Sequence, residues 1–159
     1  MFKSILLSIL ATLTLTAQEK SFDFKGIKVG MPYQEYKTTY KPNWMTGLIN
    51  NLSFVGNACS VKGVEGTKDG QKILESFFIT IHSDNYLLVL EACKAKFGEP
   101  TSVTDIPLQN GYGAQMTQTL TEWKNSTTWV KLYKFHPYAN TFDTNTTSLN
   151  FWPISPALS

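Results

Sequence analysis

Four side chains of this sequence are of the types that bind metals or attack substrates, namely Cys59, His82, Cys93 and His136. Cysteine sulfur and histidine nitrogen are the usual zinc ligands, but structural zinc sites place pairs of them a few residues apart. No two of these four residues have that spacing. A catalytic Cys–His pair needs a free thiolate, which an oxidised cysteine cannot supply. We therefore predict that the protein holds no metal and no other cofactor.

Other catalytic and nucleotide-binding signatures are incomplete in this chain. It has no G-x-S-x-G motif, and the lysine of "GTKDG" does not stand where a phosphate-binding loop requires it. The stretch "NGYGA" lacks the third glycine and the following helix of a dinucleotide site, so it predicts a turn with Tyr112 at its tip. "DTNTTS", which begins at Asp143, starts like a calcium loop but lacks the glycine and the final acid. The sequence therefore predicts a protein that is not an enzyme.

The first residues, "MFKSILLSILATLTLTAQEK", have the pattern of a secretory signal peptide. Lys3 supplies the positive charge, the apolar run that follows is too short to span a bilayer, and Ala17 is a small residue before polar ones. We predict a signal peptide over residues 1–17 and a single exported domain over residues 18–159. The processed chain would be periplasmic or secreted and would have no membrane span.

Export would place Cys59 and Cys93 in an oxidising compartment, where a pair of cysteines usually forms a disulfide. Such a bond would close a loop of about 35 residues and stabilise the fold by about 4 kcal/mol if it acts through chain entropy. The alternative is two free thiols buried in the core, since a sequence does not give the distance between two Cα atoms.

The chain is close to neutral, with 14 basic residues against 12 acidic ones, and every basic residue is a lysine. Without arginine it lacks the usual bidentate partner for phosphate. Scattered lysines on a near-neutral chain also leave no basic patch for nucleic acid, so we expect no nucleic-acid partner. Aromatic residues make up 13% of the chain and charged residues 16%, which favours a compact, ordered domain.

Two helices are predicted by apolar spacing and by proline and glycine. The first begins at Pro32, a residue suited to the first helical position, and ends before Pro42. The second, which Ser83 or Asp84 can cap, ends at Gly98. Helical spacing predicts that both helices turn a stripe of large side chains towards the core. These stripes are Tyr33, Tyr36 and Tyr40 in the first helix and Tyr86, Leu90, Cys93 and Phe97 in the second.

The rest of the chain is predicted to form strands. We expect strands over residues 52–61 and 72–82, joined by a glycine-rich loop with a turn at Lys68–Asp69–Gly70. Alternating residues on both sides of the polar "KNSTT" predict a hairpin, and a last strand near residues 147–152 would pair beside it. Strand runs joined by short turns, with only two helices, predict an α+β fold in which two helices pack on one face of an antiparallel sheet.

Two segments of the chain resemble known families. The lead "GIKVGM" into a short helix, and a second helix that ends in "KFGEPT", resemble the small outer-membrane assembly lipoproteins of the SmpA/OmlA type and the related β-lactamase-inhibitor-like fold. The stretch "LQNGYGAQMTQTLTEWKNSTTWVKLYKF" is similar to part of small uncharacterised exported proteins of Gram-negative bacteria and their prophages. The resemblance covers Phe22 to about Phe151 and implies binding or inhibition of a partner. The chain lacks the lipidated cysteine of the lipoproteins.

Our leading hypothesis is a non-catalytic periplasmic binding or inhibitor-like module that acts on an envelope or periplasmic protein. Aromatic residues near loops and hairpin ends are its candidate contacts, because aromatic side chains often anchor interfaces. These are Tyr112 foremost, then Trp44, Trp129 and Tyr138. Each of them can instead fill the core. The alternatives are a prophage-borne envelope factor that alters the host surface by superinfection exclusion and, less well supported, an enzyme. The sequence does not predict the oligomeric state.

Overall fold

The computed structural model describes residues 19–109, 112–138 and 141–154, with the side chains of Tyr138 and Thr141 left out. The predicted signal peptide, residues 1–17, lies outside the described residues. The elements in chain order are β1 (Asp23–Phe24), β2 (Ile27–Lys28), α1 (Tyr33–Tyr40), β3 (Leu48–Phe54), β4 (Asn57–Lys68), β5 (Gln71–His82), α2 (Tyr86–Phe97), β6 (Ser102–Gln109), β7 (Gln115–Lys124), β8 (Thr128–Tyr133), β9 (His136–Tyr138), β10 (Thr141–Asp143) and β11 (Thr146–Pro153).

The described strands form one seven-stranded antiparallel sheet in the order β3-β4-β5-β11-β8-β7-β6, and two small hairpins, β1–β2 and β9–β10. This sheet and the two helices make an α+β fold, as predicted. The last strand, β11, lies between β5 and β8, so it joins the first and second parts of the sheet. Neither described helix is long and apolar enough to cross a membrane.

The first helix agrees with its prediction. It runs from Tyr33 to Tyr40, directly after Pro32, and ends before Pro42. Tyr36 is fully buried, while Tyr33 and Tyr40 are partly buried against the core. The tyrosine ring centroids follow one another at 5.7 and 5.9 Å, so the predicted stripe is a row of ring contacts.

The second helix also has its predicted bounds, but it begins differently. A single 3₁₀ turn, Ser83–Asn85, precedes it, and no side chain caps α2. The backbone N–H of Asp84 instead donates to His82 Nδ1 at 3.4 Å, so the predicted cap by Ser83 or Asp84 is wrong. Gly98 closes the helix at φ 93° and donates its N–H to Lys94 O, as a positive-φ glycine can do without steric cost.

The strand predicted over residues 52–61 is wrong, because two strands occupy this region. β3 ends at Phe54 and β4 begins at Asn57, with Val55 and Gly56 between them at φ 46° and 81°. A β-branched residue at positive φ is rare, so composition does not reveal this turn. The loop predicted after residue 61 is also wrong, since β4 continues to Lys68.

The other turns and strands mostly agree with prediction. Asp69 and Gly70, both at positive φ, form the turn between β4 and β5, and Asn125 Oδ1 accepts from the N–H groups of Thr127 and Thr128 in the turn between β7 and β8. The last predicted strand is β11. His136 begins β9 and pairs with Asp143 of β10.

One face of the sheet carries the core. Phe77 of β5 stacks on Phe151 of β11 at 4.3 Å between ring centroids, and Phe97 of α2 contacts both Phe151 and Trp123. Trp123 Nε1 donates to Gly98 O at 2.8 Å, which satisfies the only polar atom of this buried ring. We call this side the core face. The opposite side, which carries Phe78, Lys131 and Asn150, is the outer face, because successive residues of a strand point to opposite sides.

Candidate functional site

The two most exposed aromatic candidates lie at opposite edges of the sheet. Tyr112 is 99% exposed in the connection between β6 and β7, as its turn position predicted. Trp44 is 89% exposed in the segment that leads into β3. Because β6 and β3 are the two outermost strands of the seven, the structure does not bring Tyr112 and Trp44 onto one edge.

Trp129 lies at a hairpin end, as expected, because it pairs with Lys124 in the last registered pair before the turn between β7 and β8. It stands on the outer face of β8, directly opposite Trp152 of β11. The ammonium groups of Lys124 and Lys131 lie 3.9 and 3.6 Å from its ring centroid, so two cation–π contacts hold the ring. Tyr138 belongs to β9, but its side chain is outside the described part of the structure. The four predicted contacts therefore do not form a single surface.

A two-stranded ribbon extends from one end of the sheet. β7 pairs with β6 along its whole length, but β8 pairs with β7 only over residues 120–124. Residues 105–109 and 115–119 are thus paired with each other past the paired part of β8; we call them the β6–β7 ribbon. On β6, Val103 is 59% exposed and Ile106 is 39% exposed. An exposed apolar edge strand is a known template for pairing with another chain.

The outer face contains an unusual group of buried polar atoms. Trp129 Nε1, His136 Nδ1, Ser148 Oγ and Asn150 Oδ1 are all buried without a hydrogen-bond partner among the described residues. Ser148 and Asn150 are neighbours on one face of β11, and Asn150 lies directly opposite Lys131 and Phe78. Buried polar groups in proteins are nearly always paired, so these atoms indicate where water or a ligand group is accommodated.

A row of polar and charged side chains, Ser102, Glu122 and Lys131, crosses the outer face next to these buried polar atoms. Ser102 Oγ donates to Glu122 Oε2 at 2.7 Å, and Lys131 Nζ lies 3.8 Å from Glu122 Oε1. Glu122 and Lys131 are opposite each other in register, and both side chains are largely buried. The Lys131 ammonium group contacts the Trp129 ring as well as the Glu122 carboxylate. The opposite charges of Glu122 and Lys131 therefore offset each other between neighbouring strands.

His136 is held over the outer face by its neighbours. Its ring stacks on Phe78 at 6.1 Å between centroids, and burial lowers the pKa of its imidazole while Asp143 opposes that shift. Just before it, the Gln118 side chain donates to Phe135 O at 2.6 Å and accepts from Phe135 N–H at 2.8 Å. These two bonds fix the point where the chain leaves β8 and crosses to β9.

A cavity of about 340 Å³ opens at the end of β3, β4, β5 and β11. Uncharged polar residues make up most of its lining, together with His82 and three smaller or apolar side chains. The lining residues are Asn50, Ala58, Cys59, Ser60, Thr80, Ile81, His82, Asn145 and Thr146. Ser60 Oγ donates to Asn50 Oδ1 at 2.8 Å, and Thr146 Oγ1 donates to Asp143 Oδ2 at 2.6 Å. The cavity contains no Asp, Glu or Lys among its lining residues.

Cys59 and Cys93 are both free and buried in the structure, which is the alternative that the sequence left open. The disulfide stays a prediction for the exported protein. Burial raises the pKa of the Cys59 thiol, and it raises that of Cys93 to about 12. A thiol with a raised pKa is protonated at neutral pH and is a poor nucleophile.

No group of three or more His, Cys, Asp and Glu that could hold a metal occurs among the described residues. His82 Nδ1 lies 3.3 Å from Asp84 Oδ2, and Asp143 accepts from Asn145 N–H and Thr146 Oγ1. The Asp143 carboxylate thus closes the turn between β10 and β11, which accounts for the start of the calcium-like stretch.

Sequence reasoning missed Ser148 and Asn150, although "TTSLNFWP" carries a signal for them. In this strand the core residues Leu149 and Phe151 alternate with Ser148 and Asn150, so the polar pair had to face the other side. Nothing in the sequence shows that this other side is also buried.

Comparison of the chain with models of protein families, with curated protein sequences and with solved structures found no match. The function therefore has to be argued from the geometry of these sites.

Proposed function

We propose that the protein is an exported, non-catalytic binding or inhibitor-like module that captures an extended segment of an envelope or periplasmic protein on the free edge of β6. The observation that carries this proposal is that β6 is the outermost strand of the sheet and is exposed along nearly its whole length. Val103 and Ile106 are its exposed apolar side chains. An added strand would gain main-chain hydrogen bonds from the edge and apolar contacts from these side chains.

The register of β6 determines which backbone groups are available. Pro107 lies opposite Thr117 and has no N–H, so it suits a position whose nitrogen faces away from β7. Val103 and Asp105 have the same parity as Pro107, so their N–H and C=O groups face outwards as well. Pro107 limits the pairing at one end, which leaves a short edge that suits a partner segment of a few residues.

The end of the ribbon supplies the aromatic contact. Tyr112 follows β6 in the connection to β7 and is 99% exposed. A tyrosine buries a large area at a low cost in side-chain entropy, which is why tyrosines often anchor interfaces. In this proposal the partner segment pairs with β6 and continues towards Tyr112.

We also propose that α1 and α2 cover the same face of the sheet, so that the β6 edge stays accessible. A Cβ at Gly63 would lie 2.8 Å from the Tyr36 ring of α1, and Gly63 is opposite Phe77. Phe77 stacks on Phe151, which Phe97 of α2 also contacts. This chain of contacts supports a single helical layer on the core face.

The test uses the processed chain, residues 18–159, as bait for a periplasmic extract, followed by affinity measurement with the protein that it retains. Val103→Pro removes an outward N–H but no bond to β7, so it should weaken binding at least tenfold without changing the melting temperature. Tyr112→Ala should also weaken binding and leave the melting temperature unchanged.

Two controls separate this edge from the rest of the surface. Trp44→Ala removes an equally exposed aromatic side chain at the opposite edge, and Leu87→Ala removes an apolar side chain of α2 that is 69% exposed. Neither should change the affinity. Retention that survives both Val103→Pro and Tyr112→Ala, or that is lost with Trp44→Ala alone, would show that β6 is not the binding edge.

A further inference from the structure

We propose that the cavity at the end of β3, β4, β5 and β11 binds an uncharged, polyhydroxylated ligand, such as one sugar unit of a glycan. The cavity is open to solvent, and its volume of about 340 Å³ lies within the range of about 300–1,000 Å³ that small-ligand sites have. This inference concerns a different surface from β6 and does not depend on the proposed protein partner.

Three hydroxyl groups cross the sheet beside this cavity. Ser60, Thr80 and Ser148 lie directly opposite one another on β4, β5 and β11; we call them the hydroxyl row. Directly opposed residues share a face of the sheet and are close neighbours, about 4.5–5.5 Å apart at Cβ. Ser60 and Thr80 line the cavity, and Ser148 adjoins Thr80.

The hydrogen bonds within the cavity leave groups available to a ligand. Ser60 Oγ donates to Asn50 Oδ1, so the Asn50 amide NH₂ and the Ser60 lone pairs remain for another partner. Ser148 is fully buried, yet its Oγ has no partner among the described residues. Ser148 adjoins Thr80 without lining the cavity, so the polar groups that a ligand can reach are those of Asn50, Ser60 and Thr80.

The chemistry of the lining selects the ligand class. With no Asp, Glu or Lys in the lining, a charged ligand would lose its hydration without gaining an opposite charge. Amide and hydroxyl groups both donate and accept, which matches the hydroxyl groups of a sugar. Ala58 adds apolar contact for the C–H groups of a sugar ring.

The experiment is an NMR titration of the ¹⁵N-labelled processed chain with glucose, galactose and N-acetylglucosamine up to about 50 mM, well above the millimolar Kd of a weak site. We expect saturable shifts for the amides of Asn50, Ser60, Thr80 and Thr146 with at least one sugar. Glycerol, which has hydroxyl groups but no ring, should give no saturable shift. Absence of saturation with all three sugars would overturn the proposal and would mean that solvent alone satisfies the hydroxyl row.

Variants of the hydroxyl row test whether an NMR chemical-shift change comes from a sugar that binds in this cavity. Thr80→Val keeps the shape and the β-propensity of the side chain but removes the hydroxyl, so the sugar should bind about tenfold more weakly, the value of one hydrogen bond. Ser60→Ala is a second variant that removes a hydroxyl of the lining and should also weaken binding. Thr117→Val is the matched control on β7 and should leave binding unchanged. Equal binding by wild type, Thr80→Val and Ser60→Ala would overturn the assignment.

Discussion

Gln118 is the buried polar residue whose removal has the most calculable effect. Its side chain is fully buried on β7, and both ends of its amide bond the Phe135 backbone, at 2.6 Å to the carbonyl and 2.8 Å from the N–H. Gln118→Met keeps the length of the side chain and removes both bonds. The Phe135 N–H and C=O would then be left without partners beneath the crossing from β8 to β9.

The cost follows from the two groups that lose their partner. Each buried donor or acceptor left unsatisfied costs about 1–3 kcal/mol, and the methionine returns about 1 kcal/mol through apolar burial. We therefore expect Gln118→Met to lower the free energy of unfolding by about 1–5 kcal/mol. Urea denaturation followed by tryptophan fluorescence would measure this as a lower midpoint at an unchanged slope.

Gln118→Glu tests the same geometry through pH. The introduced carboxyl can donate to Phe135 O only when it is protonated, so its pKa in the folded state should lie above the ordinary value of about 4.3. The variant should therefore be close to wild type below pH 4 and lose stability as the pH rises through the folded pKa. Gln115→Glu, at an exposed position of the same strand, should show no such dependence. A cost below about 0.5 kcal/mol for Gln118→Met, or an equal cost of Gln118→Glu at pH 4 and pH 7, would refute the reasoning.

Two further predictions concern titrating groups. At pH 8 neither Cys59 nor Cys93 should react with Ellman's reagent in the folded protein, because both are buried and both thiol pKa values are raised. Two thiols per chain should react after unfolding. If no thiol reacts in the unfolded chain without reductant, the two cysteines form a disulfide. Burial lowers the pKa of His136, so the unfolded chain takes up a proton first and stability should fall as the pH drops through about 6.5. His136→Phe should flatten that fall between pH 7 and pH 5.5, and an imidazole that titrates above 6.5 by NMR would contradict this account.

The elements that the sequence predicted well are those in which one periodicity dominates. The helix Tyr86–Phe97 and the strand Gln71–His82 have long apolar patterns bounded by glycine, proline or polar turns, and both have their predicted type. Val89, which is fully buried, was missing from the predicted stripe, although it lies three residues after Tyr86 and four before Cys93, which is the spacing of one helical face. An error of this kind misplaces one side-chain contact and leaves the predicted fold unchanged.

The errors in the first part of the sheet have a different cause. Val55 takes a positive φ that its branched side chain disfavours, so Gly56 alone marks the turn between β3 and β4 in the sequence. The glycines of β4 resemble a loop, yet Gly63 lies where a Cβ would come within 2.6 Å of Leu74 Cδ1. Tertiary packing requires glycine there, and a local pattern cannot distinguish this requirement from flexibility.

The candidate sites were only partly predictable. The exposure of Tyr112 followed from the turn residues around it. Trp129 could not be assigned to a face, because both parities of β8 carry large apolar side chains and only the position of α2 decides between them. The hydroxyl row joins β4, β5 and β11, which are distant in the sequence, so it emerges only from the strand order.

The central position of β11 has a consequence for how the protein is made. Synthesis releases a chain from its N-terminal end, so β11 emerges after the other described strands. Until it does, β5 and β8 each present an unsatisfied edge, and the two portions of the sheet have no backbone connection through hydrogen bonds. The nascent polypeptide must therefore remain incompletely folded, and open to chaperones or proteases, until β11 has emerged.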